Sequence, residues 1–189
     1  MSFRKITVWI PLLTCLSACT WLRRAPVPPP PPPAAVQPQP SPERWILVRK
    51  SERRLFLYDG DQLLRTYPVV LGKDPTWAKL YQGDHRTPEG VYHISNKYFH
   101  PYWSRFLMLD YPTPTNEEIY AWSREQGLLP ARGRSLPGIG GAIGIHGVED
   151  ESLNRRGIDW TEGCISLFNH DVDELYDLVP IGTRVVIER

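Results

Sequence analysis

A lone cysteine and an upstream histidine are the side chains of this sequence best suited to covalent chemistry. Cys164 follows His146 by 18 residues, and the other two cysteines, Cys15 and Cys19, lie near the N-terminus. A thiol without a nearby disulfide partner is either a buried bystander or a nucleophile. An imidazole changes protonation near neutral pH, so His146 could accept the thiol proton.

Glycines flank both residues. Gly147 follows His146 and would allow the backbone of a ligand to approach closely, and Gly163 precedes Cys164. The backbone N–H groups of Gly163 and Cys164 could face the oxygen of a substrate carbonyl. On these residues alone, a core histidine with a buried thiol remains an equal alternative to a catalytic pair.

The segments around this pair are predicted to form mainly β-strands. Asp59-Gly60-Asp61 between two apolar runs predicts a hairpin, and Ile143 and Ile145 alternate with His146, which should therefore point to the opposite face. Two helices are expected, one beginning with a capping box at Thr115 and one with Asn169 as its N-cap. The predicted strands are 45–50, 53–58, 62–72, 90–95, 106–111, 142–146 and 184–188.

The motifs are similar to those of a known family. His146-Gly147, followed by Thr161-X-Gly163-Cys164-Ile165-X-Leu167-X-Asn169, resembles the signature of the L,D-transpeptidase (YkuD-type) catalytic domain. Further resemblance extends across most of residues 44–189, for example in Arg86-Thr87-Pro88-Glu89-Gly90. The resemblance implies a mainly β fold, a YkuD-like β-sandwich with short peripheral helices.

The resemblance also implies a cysteine acyl-transfer mechanism on peptidoglycan stem peptides. Cys164 would attack a tetrapeptide stem and expel D-alanine, and His146 would take the thiol proton. Amides at Gly163 and Cys164 would hold the oxyanion, while Thr161 would help to shape the site. An amine acceptor would give a cross-link, an exchange or a protein attachment, and water would give hydrolysis. No metal or organic cofactor is expected.

Two positions depart from the family pattern. Glu162 stands where the family commonly has histidine, and Ser166 stands where it commonly has arginine. A less electropositive site should raise the pKa of the thiol. The variant Asp-Trp-Thr-X-Gly-Cys-Ile resembles a subgroup associated with hydrolytic release of a wall-attached lipoprotein, so both acceptors stay open.

The N-terminus predicts export and lipidation. Arg4 and Lys5 precede an apolar run of about 11 residues, 6–16, which suits a signal core better than the roughly 20 residues of a membrane span. Leu16-Ser17-Ala18-Cys19 resembles a bacterial lipobox, so residues 1–18 would be the signal peptide and Cys19 the lipidated residue. Because Thr20 rather than aspartate follows, the expected location is the periplasmic face of the outer membrane.

A proline-rich linker separates this anchor from one domain. Ten of residues 26–42 are proline, so residues 19–43 should form an extended tether, and residues 44–189 the catalytic domain. Setting aside the four basic residues and one acidic residue before Arg44 from the totals of 22 and 21 leaves 18 basic and 20 acidic residues. This balance argues against nucleic acid as a partner.

Two other function classes remain in competition with the enzyme. A non-catalytic peptidoglycan-binding module would suit the anchor and the linker equally well. A metallopeptidase is disfavoured because the histidines lack metal-ligand spacing.

Overall fold

Eight β-strands and three α-helices make up the regular structure of residues 43–131 and 135–189, the part of the chain that this computed structural model describes. The predicted signal peptide, the predicted lipidation residue Cys19 and nearly all of the predicted linker lie outside the described residues. The strands are β1 (Arg44–Arg49), β2 (Arg54–Asp59), β3 (Gln62–Pro68), β4 (Gly90–His100), β5 (Ser104–Leu109), β6 (Gly144–His146), β7 (Ile165–Ser166) and β8 (Arg184–Glu188). The helices are α1 (Pro114–Glu125), α2 (Glu151–Arg155) and α3 (Asn169–Leu178).

The predicted hairpin forms between β2 and β3, which pair antiparallel across Gly60. Gly60 has φ of +55°, which glycine adopts without a Cβ clash. Along β2, Leu55 and Leu57 are fully buried, whereas their neighbours are more exposed. This period of two places one face of the strand on the core.

The sheet curls because β4 pairs with two different strands along its length. Its first residues pair with β8, and from Ile94 onward it pairs with β5. The strand order is β3-β2-β1-β8-β4-β5-β6-β7. The two ends of the sheet meet where Val70, just after β3, exchanges backbone hydrogen bonds of 3.0 and 2.9 Å with Ser166 in β7. The prediction of a mainly β fold with short peripheral helices is confirmed.

Several element boundaries differ from the sequence prediction. β4 continues to His100 because β5 supplies pairing partners over its whole second half. The capping residue of α1 is Thr113 rather than Thr115, and the Thr113 N–H donates to Asn116 Oδ1 at 3.0 Å. α2 was not predicted, since five residues are too few for a periodic apolar face.

The helix after Cys164 forms as expected, but Asn169 is its first residue rather than its N-cap. Val172, Leu175 and Val179 are buried, which confirms the predicted apolar face. No helix in the described part of the chain has both the length and the apolar character needed to cross a membrane.

Candidate active site

The pairing of β6 with β7 brings the predicted catalytic residues to one place. The two strands run parallel, with Ile145 opposite Ile165 and His146 opposite Ser166. Cys164 immediately precedes β7. Ile145 points into the core and is fully buried, so His146 faces the other side, as the alternation predicts. His146 and Cys164 both line one cavity of about 550 Å³.

The tautomer of His146 follows from a main-chain contact. Its Nδ1 lies 2.6 Å from the carbonyl oxygen of Gly147. A carbonyl oxygen only accepts, so Nδ1 must carry the proton and donate it. Nε2 therefore holds the free lone pair, and among the described residues it has no hydrogen-bond partner. This is the form of imidazole that acts as a general base.

Aromatic rings enclose the imidazole. Trp103 stacks on it with ring centroids 4.4 Å apart, Phe106 stacks at 5.5 Å, and Trp160 meets it edge-on at 5.7 Å. The side chain is 1% exposed. Burial lowers the pKa of His146 to about 4, against a smaller opposing effect of the Gly147 carbonyl. The ring is therefore neutral at physiological pH.

The thiol of Cys164 is partly exposed at the cavity but surrounded by poorly solvating groups. Its Sγ lies 3.6 Å from the carbonyl oxygen of Ala142. Burial raises its pKa to about 11, while the Gly144 amide and the Lys79 ammonium act in the opposite direction. The raised pKa agrees with the sequence expectation, but its cause is burial rather than the Glu162 carboxylate. The resting pair is thus a neutral thiol and a neutral imidazole.

Thr161 and Gly163 form the turn that presents Cys164. The Thr161 hydroxyl donates to the Cys164 carbonyl at 2.7 Å and accepts from the Gly163 N–H at 3.1 Å. Gly163 has φ of +141°, and a Cβ there would lie 2.6 Å from the Arg86 carbonyl oxygen. Only glycine fits this position. The structure thus places Thr161 in a turn-shaping position.

The Gly163 amide, predicted to hold an oxyanion, is already engaged by Thr161. The Cys164 N–H has no acceptor among the residues described. Of the two amides proposed from the sequence, the one free to meet a substrate oxygen is that of Cys164.

Gly147 packs closely against atoms of the protein itself. A Cβ there would lie 2.2 Å from Asn169 Oδ1 and 2.6 Å from the Trp103 carbonyl oxygen. The protein itself therefore makes a close approach at this position that requires glycine. The sequence did not suggest that the Gly147 carbonyl would orient the histidine, because main-chain contacts leave no signal in residue types.

Cys164 also lines a second cavity of about 520 Å³. Both cavities share Ala142, Glu162 and Cys164. The first is walled mainly by aromatic side chains, and the second by Lys79, the Gln82–Gly83 turn and the segment 140–143. A thiol at such a junction can be approached by two molecules from different directions.

Charged groups at the mouth of the site were only partly foreseen. Glu162 is hydrogen-bonded to Lys73 and His85, and the Lys73 contact is the largest cause of its lowered pKa. Lys79, which the sequence did not single out, forms a buried ion pair with Asp84 at 2.8 Å. Asp84 also accepts from the N–H groups of Leu80, Tyr81 and Arg86, so this pair holds the loop that walls the second cavity.

No group of three or more His, Cys, Asp or Glu side chains suited to a metal ion occurs in the described residues.

Comparison with known proteins connects this geometry with one family. The family model YkuD, the L,D-transpeptidase catalytic domain, matches residues 43–187. The homologue YkuD of Bacillus licheniformis is 29% identical over 148 residues, which is 75% of this chain and 64% of that protein. ErfK/SrfK of Escherichia coli is 30% identical over 151 residues, which is 75% of this chain and 43% of that protein. The chain spans less than two thirds of the length of these relatives.

Solved structures share the fold. Pgp2, the helical cell shape determining protein of Campylobacter jejuni, aligns with a TM-score of 0.56 at 23% identity, over 77% of this chain and 47% of that one. Bd1075 of Bdellovibrio bacteriovorus aligns with a TM-score of 0.55 at 22% identity, over 78% and 48%. From the family match and the shared fold together, this chain belongs to the YkuD family of L,D-transpeptidase catalytic domains.

Proposed function

We propose that this chain is a peptidoglycan-modifying cysteine acyltransferase of the L,D-transpeptidase type, acting on tetrapeptide stems through a thioester at Cys164. The observation that carries the proposal is the placement of a thiol where two cavities meet, with a neutral imidazole in the wall of one of them. Family membership supplies the substrate class. A wall-binding module would need neither the thiol nor the oriented base.

In the first half-reaction the sulfur of Cys164 attacks the carbonyl carbon of the stem's third residue. Nε2 of His146 takes the thiol proton as the C–S bond forms, because the thiol is protonated at rest. The developing oxyanion meets the Cys164 N–H. The C–N bond to D-alanine then breaks, and the imidazolium returns its proton to the leaving amine.

In the second half-reaction an acceptor attacks the thioester and releases the thiol. An amine acceptor gives a new amide, and water gives a carboxylic acid. The shared position of Cys164 in both cavities supports a donor in one and an acceptor in the other. A hydrolase that shortens a wall peptide or releases a wall-attached lipoprotein uses the same thioester, with water as the acceptor.

For its location we propose export and lipidation at Cys19, with the proline-rich segment as a tether. The motifs of residues 1–42 support this proposal. Mass spectrometry of the mature N-terminus tests it: a diacylglyceryl-modified Cys19 is expected, and an unmodified N-terminus would reject the lipoprotein assignment.

The activity is tested with the full chain, purified in detergent and incubated with disaccharide tetrapeptide, with and without a competing D-amino acid. Intact-mass spectrometry should show an acyl adduct that is lost in Cys164→Ala. Exchanged or cross-linked product would establish a transpeptidase, and tripeptide alone would establish a hydrolase. A folded protein that gives neither adduct nor product would overturn the proposal in favour of a binding module.

A further inference from the structure

A chain of hydrogen bonds ends at the Gly147 carbonyl that orients His146. Of its four residues, only Trp160 lines a cavity. The Trp160 indole N–H donates to Asn154 Oδ1 at 3.0 Å, and Asn154 Nδ2 donates to Ser166 Oγ at 3.1 Å. The Ser166 hydroxyl donates to the carbonyl oxygen of Gly147 at 3.1 Å. That same oxygen accepts the proton of His146 Nδ1.

The direction of this chain is fixed at both ends. An indole N–H can only donate, so the Asn154 atom that faces Trp160 must be its oxygen, and the amide nitrogen then faces Ser166. A carbonyl oxygen can only accept, so the single Ser166 proton points to Gly147. Ser166 Oγ also lies 3.4 Å from Asn154 Oδ1. This longer contact is not a hydrogen bond, because the Ser166 proton points to Gly147 and both oxygens can then only accept.

The peptide unit at the end of this chain is held by hydrogen bonds to its polar groups. Gly147 has no side chain, so its peptide unit depends on contacts from outside. The same peptide unit carries the N–H of Val148, which donates to Asn169 Oδ1 at 2.9 Å. On the preceding side the Gly147 N–H donates to the Trp103 carbonyl at 3.0 Å. Ser166 therefore holds the carbonyl oxygen of this peptide unit, which is the atom that orients the imidazole.

We propose that Ser166 and Asn154, aligned by Trp160, are positioning residues for His146: they fix the Gly147 carbonyl and thereby the orientation and tautomer of the base. Ser166 is fully buried and stands at the position where the family commonly has arginine, so this chain uses a neutral hydrogen-bonded network in that place. The expected effect on catalysis rests on the proposed function, whereas the expected effect on the orientation and tautomer of His146 does not.

Two variants test the role without touching the cavity walls, since neither Ser166 nor Asn154 lines them. Ser166→Ala removes the donor to Gly147. Asn154→Asp keeps the side-chain volume but offers two acceptor oxygens, so the Ser166 proton turns toward Asp and away from Gly147. Both should lower kcat for tripeptide or exchanged product by about tenfold, with KM unchanged, because a displaced base affects the chemical step rather than binding.

The control variant is Thr183→Val. It also removes one buried hydroxyl that donates to a carbonyl, that of Pro180 at 2.8 Å, but far along the chain from His146. It should leave kcat unchanged.

The second readout is the ¹⁵N spectrum of labelled histidine in the full chain, which reports the tautomer of His146 without substrate. The wild type and Thr183→Val should show a single Nδ1-protonated form, and Ser166→Ala and Asn154→Asp a mixture of tautomers.

If both test variants keep the wild-type spectrum and kcat, or lose kcat with an unchanged spectrum, the positioning role is wrong. If the wild type turns over no substrate, the proposed function fails, and the spectra alone decide the positioning role. Should Ser166→Ala not fold, Asn154→Asp decides in the same way.

Discussion

The imidazole of His146 donates its Nδ1 proton to the carbonyl oxygen of Gly147, its neighbour in sequence, at 2.6 Å. This contact turns Nε2 outward, and the ring is neutral because aromatic side chains exclude water from it. Cys164 is likewise neutral. The site therefore rests as an uncharged pair, so in the proposed mechanism the thiolate would form only as the proton moves during attack.

The buried imidazole should make the fold sensitive to acid. The unfolded chain binds a proton at His146 near pH 6.5, whereas the folded chain does so only near pH 4. Stability is therefore lost as pH falls between these values, by about 3 kcal/mol from this residue. Urea unfolding of the wild type and of His146→Gln at pH 7.5 and pH 4 measures the difference. Equal losses in the two proteins would show that His146 is not the group responsible.

The thiol should react slowly with alkylating reagents at neutral pH. With a pKa of about 11, the thiolate fraction rises about tenfold per pH unit up to that value. Peptide mapping after timed exposure to iodoacetamide follows Cys164 separately from Cys15 and Cys19. A synthetic peptide of residues 160–168 provides the reference, and its thiol should reach full reactivity at a lower pH. A plateau below pH 8 in the protein would indicate a thiolate–imidazolium pair instead.

Loss of the Thr161 hydroxyl should affect the turn more than the fold. In Thr161→Val the Gly163 N–H loses its acceptor and the Cys164 carbonyl loses its donor. We expect a destabilisation of about 2 kcal/mol and a fall in the rate of Cys164 acylation of about 100-fold, because the nucleophile moves. Urea unfolding and time-resolved intact mass measure the two effects. Thr183→Val is the matched control, and equal acylation rates in the two variants would contradict the assignment.

The buried pair of Lys79 and Asp84 predicts a non-additive response. Their side chains are 4% and 1% exposed, so Asp84→Asn leaves an ammonium without its counter-charge and should cost about 3 kcal/mol of unfolding free energy. The double variant Lys79→Met with Asp84→Asn should be less destabilised than Asp84→Asn alone, since no buried charge remains. Thermal and urea unfolding of the wild type, Lys79→Met, Asp84→Asn and the double variant provide the comparison. A double variant that shows the full sum of the single losses would exclude the charge as the cause.

The sequence by itself determined the elements whose causes are local. Gly60 between two apolar runs defines the β2–β3 hairpin, and the alternation of Ile143, Ile145 and His146 correctly predicts which side of β6 faces the core. The motif around Cys164 identified the family, because residue types and their spacing are all that a family signature records.

Only the tertiary structure decided how the site is held. Asn169 reads as a helix cap, yet its side chain bonds to Val148, 21 residues away. Asn154 in α2 donates to the Ser166 hydroxyl, and Ser166 reaches the Gly147 carbonyl because β7 lies beside β6. Such contacts join residues far apart in the chain, and their hydrogen bonds depend on backbone groups, which every residue carries alike. Residue types therefore indicate a candidate nucleophile and a candidate base, while the fold determines which nitrogen of His146 is free.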